Sequence, residues 1–437
     1  MKKRSKWLVG LLATGSLLAF AACGEKESEA GADVGSDTNE TAKDETTELS
    51  VSVWGYDANP EFKAMFGAFE DQHPNVKIKV VDIAADQYEN KVTTMLAGGD
   101  TTDVLGMKDV GSYVNYANKN QLVDLTEAIE GLSEDDFANY KGNLDGYKTE
   151  KDQYFAMPFR KEIYMMFYNK GIFDEAGVDY PGDLTWDEYE KLAADLTSGE
   201  ADSKVYGTYY HTWYPLVQAL AANQTGNDLM SGKYDFLADY YDRVLRLQNE
   251  GHAMDYATIK TTSTTYSSVF ETGKTATMIM GSFYLGKLIN SINTNNLDLD
   301  WGVTTIPQNE KGEIKTYGGP TGFAVSNHSK NKDLATEFVK FCSGEEGAKA
   351  VSAIGMTTAY QSDAVLDVLA SVEGMPQDEQ FKKALKPDHN GWELLARPEA
   401  AAINTILGEE HDLIMVQDNT VEKGIKEITK RIETEVE

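Results

Sequence analysis

MMFYNKGIFDEAGVDYPGDLTWDEYEKLAADLT, residues 165–197, carries a complete supersecondary signature. An apolar strand runs into Tyr168-Asn169-Lys170, a short helix follows, Gly177-Val178 turns the chain, and Pro181 leads to a second helix start. Thr185 reads as the N-cap of that helix, with Glu188 three residues on to complete a capping box. Local physics explains these residues, so they belong to the scaffold rather than to a site.

Outward from this stretch, strand-like segments (LSVSVW, KIKVVDI, ATMIM, LDWGVTTI, GFAVS) alternate with helical patterns such as EFKAMFGAFEDQ, DYYDRVLRLQNEG and KDLATEFVKFCSG. Alternation of this kind predicts an α/β architecture. Residues 49–437 are enough for two ordinary domains. Ligands of such sheets bind outside the C-terminal ends of the strands. That rule points to Gly55-Tyr56-Asp57, after the strand ending at Trp54, and to Gly281-Ser282-Phe283-Tyr284, after Thr277–Met280.

The N-terminus reads as a secretion signal over residues 1–22, with Lys2, Lys3, Arg4 and Lys6 ahead of an uncharged apolar run from Trp7 to Ala22. That run is shorter than a spanning helix needs. Its end, Leu18-Ala19-Phe20-Ala21-Ala22-Cys23, resembles the lipobox of bacterial lipoproteins, with Phe20 where Leu is usual. The resemblance implies acylation of Cys23 and a membrane anchor; the alternative is an ordinary secreted protein. Residues 23–48 are acidic and polar with almost nothing large and apolar, so they predict a disordered tether. A tether of that length behind a lipid suggests the outer face of a Gram-positive membrane.

Cys23 and Cys342 are the two cysteines of the chain, so an acylated Cys23 leaves no internal disulfide. Cys342 falls in a helical pattern with Leu334, Phe338 and Phe341 and reads as a buried inert thiol. The formal net charge is −31, and loss of the signal removes four positive charges more. Nucleic acid, which needs a basic footprint, is excluded as a partner, and anionic ligands are mildly disfavoured.

The 165–197 segment resembles the extracellular solute-binding proteins of sugar ABC importers, the group that includes maltose-binding protein. Further matches follow in family order: TTMLAGGDTTDV (93–104), FAMPF (155–159), FETGKTATMIMGSF (270–283), WGVTTIPQ (301–308) and YGGPTGFAVSNHSKNKDLATEFVKFCSGEEG (317–347). The resemblance implies a two-lobed, periplasmic-binding-protein-like fold with a central ligand cleft and a hinge crossed three times. The crossings are expected near Met157-Pro158, Gly318–Gly322 and Thr357–Gln361. Lobe one would be 49–157 plus 323–357, and lobe two 158–320 plus 358–437. Glycines at the second crossing suit a hinge or a simple turn.

A sugar presents apolar faces ringed by hydroxyls, so its site needs aromatic platforms with polar groups aimed at the ring edge. Trp54, Tyr56 and Asp57 lie where the family's first-strand loop reaches the ligand, with a core or turn role as the alternative. The alignment places Asp109 at an acidic ligand contact after the Thr102-Asp103-Val104 turn, and Glu162 at an inter-lobe glutamate. Arg160 and Lys161 stand beside Glu162 where the relative has aliphatics. They read as a surface ion pair or as a hint of a carboxylate or phosphate on the ligand. In KVYGTYYHTWYPLVQAL (204–220), His211 and Trp213 fall at family contact positions. Phe283 stands where a stacking Trp is common, and Trp392 corresponds to a late stacking Trp in a poorly aligned region.

The sequence has no G-x-S-x-G elbow, H-E-x-x-H motif, Walker loop or paired-cysteine metal site, so no catalytic residue, metal or cofactor is expected. The expected partners are a carbohydrate, the transmembrane subunits of a permease and, through the lipid, a membrane; the receptor itself is expected to be a monomer. With 71 acidic residues, a surface-anchored carbohydrate-active enzyme is the alternative. An adhesin with a vestigial cleft is a third reading, and it would not need aromatics at strand ends.

Overall fold

The structure is a computed structural model that describes residues 46–436. The signal at 1–22, Cys23 and the tether up to residue 45 lie outside the described residues. The remainder is mixed α/β, built on two sheets that face one another across a cleft.

The first sheet contains β1 (Thr47–Trp54), β2 (Val76–Ile83), β3 (Val104–Met107), β4 (Met157–Lys161) and β10 (Pro320–Val325), in the order β2-β1-β3-β10-β4. β1 runs parallel to both β2 and β3, whereas β10 is antiparallel to β3 and β4. Helices Pro60–Gln72 and Lys332–Ser343 cover it, packing Phe62, Phe66, Phe69 and Phe338 against Phe323 and Phe159. Cys342 is buried in this layer, and its burial pushes the thiol well above its ordinary range.

The second sheet contains β5 (Tyr164–Asn169), β6 (Tyr206–Tyr209), β7 (Thr275–Gly281) and β8 (Trp301–Thr304), in the order β6-β7-β5-β8. The capping box at Thr185 is present: its hydroxyl accepts from the Glu188 N–H, and Glu188 accepts from the Thr185 N–H. Asn169 caps the helix Lys170–Ala176, and Gly177 ends it with φ +65°, a left-handed conformation that glycine adopts at little cost.

A parallel ribbon of β9 (Lys315–Gly318) and β11 (His389–Trp392) lies between the sheets. The chain changes sheet at Glu162-Ile163, later than the expected Met157-Pro158, because β4 pairs with β10 as far as Lys161. It changes again at Gly319, between β9 and β10. The third passage also lies later than expected. Thr357 bonds Ser282 of the second lobe, but Ala359 and Gln361 donate to Phe159 and Asn139 of the first. Helix Asp363–Ala370 then packs on the first-lobe helix Glu345–Ser352, and only Glu379–Ala384 lies against β8.

The glycines of the second passage are required by close approach. A Cβ on Gly318 would overlap the Glu162 carbonyl oxygen, and one on Gly322 would overlap that of Met157. Two strands of opposite direction pass here at a separation that no side chain permits.

Candidate functional site

At the passage between sheets the sequence Arg160-Lys161-Glu162 is buried, not on the surface. Arg160 donates from Nε to Glu162 at 2.8 Å and from Nη1 to Glu61 at 2.8 Å; Thr321 donates to the same Glu162 oxygen at 3.1 Å. Both of its strong contacts are therefore internal. Lys161 donates to the Asn390 carbonyl at 2.8 Å and sits 3.6 Å from the centre of the Trp392 ring. Burial lowers its ammonium to about 8, against the opposing pull of Glu162 and Asp145. Neither a surface ion pair nor an anion-binding pair, the two readings the sequence allowed, is formed: both cations are buried and their hydrogen bonds are made inside the fold.

Around this core the first lobe contributes carboxylates. Asp109 follows β3 and caps the helix Val110–Asn118, accepting from the Ser112 N–H at 2.7 Å. Glu61, the second residue of its helix, reaches Arg160 with one oxygen, and its other oxygen is buried without a partner.

The second lobe contributes rings. Trp213, 36% exposed, meets His211 edge-on at 4.5 Å, Tyr266 at 5.7 Å and Phe283 at 6.2 Å. Phe283 in turn lies 5.6 Å from the Arg160 guanidinium, so the aromatic cluster and the ion-pair cluster are contiguous. His211 bonds the Tyr209 hydroxyl at 2.9 Å, and burial, aided by Lys260, lowers it to about 4, so the ring is neutral. Tyr164 and Tyr317 stack at 4.3 Å with an 11° interplanar angle. Tyr317 is wholly buried and its hydroxyl has no partner.

The C-terminal segment closes the arrangement. The Trp392 ring carries Lys161 on its π system and lies against Gly146 of the first lobe, where a Cβ would come within 2.7 Å. It thus touches the first lobe while remaining partly exposed. Glu393 follows, half-buried, with an oxygen 3.4 Å from where a Cβ of Gly319 would be. Burial, then Glu162, then Asp109 push its carboxyl up to about 8. Tyr164, Tyr214 and Tyr317 all feel its charge. Across the cleft, Gly111 of helix Val110–Asn118 meets Ala401 of helix Ala400–Met415, with 3.2 Å between a notional Cβ and the Ala401 Cα.

Of the nine residues expected from the sequence, Asp109, Glu162, His211, Trp213 and Phe283 converge here, and Trp392 flanks them. Trp54, Tyr56 and Asp57 do not join them. Trp54 is 6% exposed and packs edge-on against Phe62 and Tyr88 at 5.1 Å each, as part of the core. Tyr56 stacks on Phe66, and Asp57 is an exposed partner of Lys63. Glu61, Tyr164, Tyr317 and Glu393 were not anticipated. Glu61 reads in sequence as an ordinary first-turn acid after Pro60, and the other three lie on segments that only the fold brings together.

Two lobes on separate sheets, three chain passages and a cleft lined by rings and carboxylates define a ligand-capturing protein of the periplasmic-binding type. A family model described as bacterial extracellular solute-binding protein matches residues 57–349, and the chain belongs to that family. It is 25% identical over 335 residues to an arabinooligosaccharide-binding protein of Halalkalibacterium halodurans, covering 68% of this chain and 71% of that one. It is 24% identical over 375 residues to a galactooligosaccharide-binding protein of Bacillus subtilis, covering 80% and 79%. Among solved structures, a sugar transporter from Rhizobium etli in an open conformation superposes with a TM-score of 0.74 at 33% identity, covering 89% of this chain and 99% of that one.

Proposed function

We propose that this chain is the extracytoplasmic carbohydrate receptor of an ABC importer. It captures a mono- or oligosaccharide between its lobes and passes it to the transmembrane subunits of a permease, without altering it. Acylated Cys23 tethers the receptor, which works as a monomer, to the outer face of the membrane.

The observation that carries this reading is that the aromatic cluster of Trp213, Tyr266 and Phe283 abuts, through Phe283, the Arg160 guanidinium that binds Glu162. Rings that cover a sugar's apolar face and acceptors that take its hydroxyls are what pyranose and furanose recognition demands. The oligosaccharides named for the relatives make pentose and hexose oligomers the first ligands to try.

The test is a thermal-shift panel of neutral arabino-, galacto- and manno-oligosaccharides, with chromatography of the sugar afterwards. A ligand that binds the native state alone raises the melting temperature. A shift with the sugar recovered intact supports a receptor; a shortened sugar means an enzyme, and no shift with any sugar sinks the carbohydrate reading. A ligand touching both lobes stabilises the closed form by its differential affinity. The radius of gyration from small-angle scattering should therefore fall on binding.

A further inference from the structure

Buried tyrosine hydroxyls in this protein usually find a partner inside the fold. Tyr88, Tyr113, Tyr147 and Tyr234 each donate to a backbone carbonyl at 2.6–3.0 Å. Tyr317 departs from that pattern: the residue is wholly enclosed, and its hydroxyl has no hydrogen-bond partner among the described residues. Its ring lies 4.3 Å from that of Tyr164 at an 11° interplanar angle, a stack that the hydroxyl does nothing to hold. An unpartnered buried hydroxyl costs stability, and a phenyl ring would stack without that cost. β9 carries Tyr317 to the passage between the sheets, where Gly319 lies beside the Glu393 carboxylate. Tyr164 opens β5 directly after Glu162-Ile163, and the Thr316 hydroxyl ties the two strands by donating to the Tyr164 carbonyl at 2.7 Å. Both rings lie close to Tyr214, the residue after Trp213, and Tyr164 lies close to Tyr266 of the aromatic cluster. The pair therefore stands at the floor of the candidate site. Among the described residues one other tyrosine, Tyr210, has a buried hydroxyl without a partner, and it is set beside Tyr189 and Arg243 in the interior of the second lobe.

We propose that Tyr317 is a ligand-contacting residue: its hydroxyl, together with that of Tyr164, forms a polar subsite at the passage between the lobes and takes an edge hydroxyl of the sugar whose face lies on Trp213. The proposal rests on the carbohydrate reading of the same cleft and adds the orientation of the ligand and the residue that reads its edge. A phenol both donates and accepts, as a sugar hydroxyl does, so the two groups match in either sense. The stacked rings cover one another's inner faces and meet a ligand through their hydroxyls, whereas Trp213, with a third of its surface free, offers a face. Tyr317 is enclosed in the present arrangement of the lobes. Parting of the lobes uncovers its hydroxyl, and a ligand carried in on closure supplies the partner that the chain does not.

The experiment is Tyr317→Phe, which keeps the stack and removes only the oxygen. Tyr210→Phe makes the same change at the other unpartnered hydroxyl and serves as its control. Melting temperature and calorimetric affinity are measured for both variants with the sugar that binds best in the panel above and with its monodeoxy analogues. Tyr317→Phe should melt at or above the native temperature and bind that sugar about five- to tenfold more weakly, the scale of one hydrogen bond. One monodeoxy analogue, lacking the hydroxyl that Tyr317 takes, should bind the native protein and Tyr317→Phe equally. Tyr210→Phe should also melt at or above the native temperature, and bind as the native protein does. Unchanged affinity in Tyr317→Phe, an equal loss in both variants, a loss that every monodeoxy analogue shows alike, or a clearly lowered melting temperature in Tyr317→Phe overturns the subsite while the sugar receptor stands. If no sugar binds the native protein, the carbohydrate reading falls, and the subsite falls with it.

Discussion

Trp54 of the first lobe and Trp213 of the second each stand at or just after the end of a strand, and they do opposite things. Trp54 ends a strand whose last four residues are all buried, and its ring is enclosed by Phe62, Tyr88 and Gly106. Trp213 stands on a turn after β6, meets His211 edge-on and Tyr266 and Phe283 at a tilt, and leaves a third of its surface free. The first lobe spends its aromatics on its own core and faces the cleft with acids; the second spends aromatics on the cleft. Under the function proposed above, a sugar would stack on one lobe and have its hydroxyls gathered by the other.

The sharpest way to break this division is at the seam. Arg160→Ala leaves Glu61 and Glu162 buried without their cation and should destabilise the protein by about 3–5 kcal/mol, read from urea unfolding. Trp54→Ala should cost about 3–5 kcal/mol of stability through the cavity it leaves, with ligand affinity unaffected in the fraction that stays folded. Trp213→Ala should do the reverse, losing about 1–3 kcal/mol of sugar binding in calorimetry with little change in melting temperature. Equal stability losses for the two tryptophans would erase the contrast.

A smaller effect lies in the pH dependence of the ligand-free protein. Glu393 titrates at about 8 in the folded state and near 4.5 when unfolded, so its contribution to stability is full below about pH 4.5 and is lost as pH rises through 8. His211 and His411, lowered to about 4 and about 3 by burial, act in the other direction, losing stability as pH falls below 6.5. Glu393→Gln removes only the first effect. Its melting temperature should exceed that of the native protein above pH 8, by a difference worth on the order of 1–2 kcal/mol for a half-exposed carboxyl, and should converge with it near pH 4.5. Smallest is Thr185→Ala in the second lobe, which should cost about 1 kcal/mol through the lost cap and leave binding untouched.

The scaffold was legible because its signals are local. The Thr185 capping box and the Gly177 turn each act within one turn of chain, and each formed where the sequence placed it. The site was legible only where a motif fixed a residue at a strand end. An aromatic at such an end reads the same whether it turns inward or into the cleft, and for Trp54 the deciding contact is with Tyr88, a residue on another element. Arg160 and Lys161 read as a surface or ligand-facing pair because Glu61, which absorbs one of them, is 99 positions away. Tyr164, Tyr317 and Glu393 lie on three segments whose meeting depends on the ribbon of β9 and β11, for which the sequence offers no periodic pattern.

The solitary cysteine of the first-lobe core has a practical corollary. A chain expressed from residue 24 contains one thiol, Cys342, and that thiol is enclosed and poorly ionised. Thiol reagents attack the thiolate, so Cys342 is chemically silent toward them in the folded protein. A cysteine placed at Thr212, next to Trp213, would accept an environment-sensitive dye without competition, and under the proposed function the folded protein would become a reagentless optical reporter for its ligand.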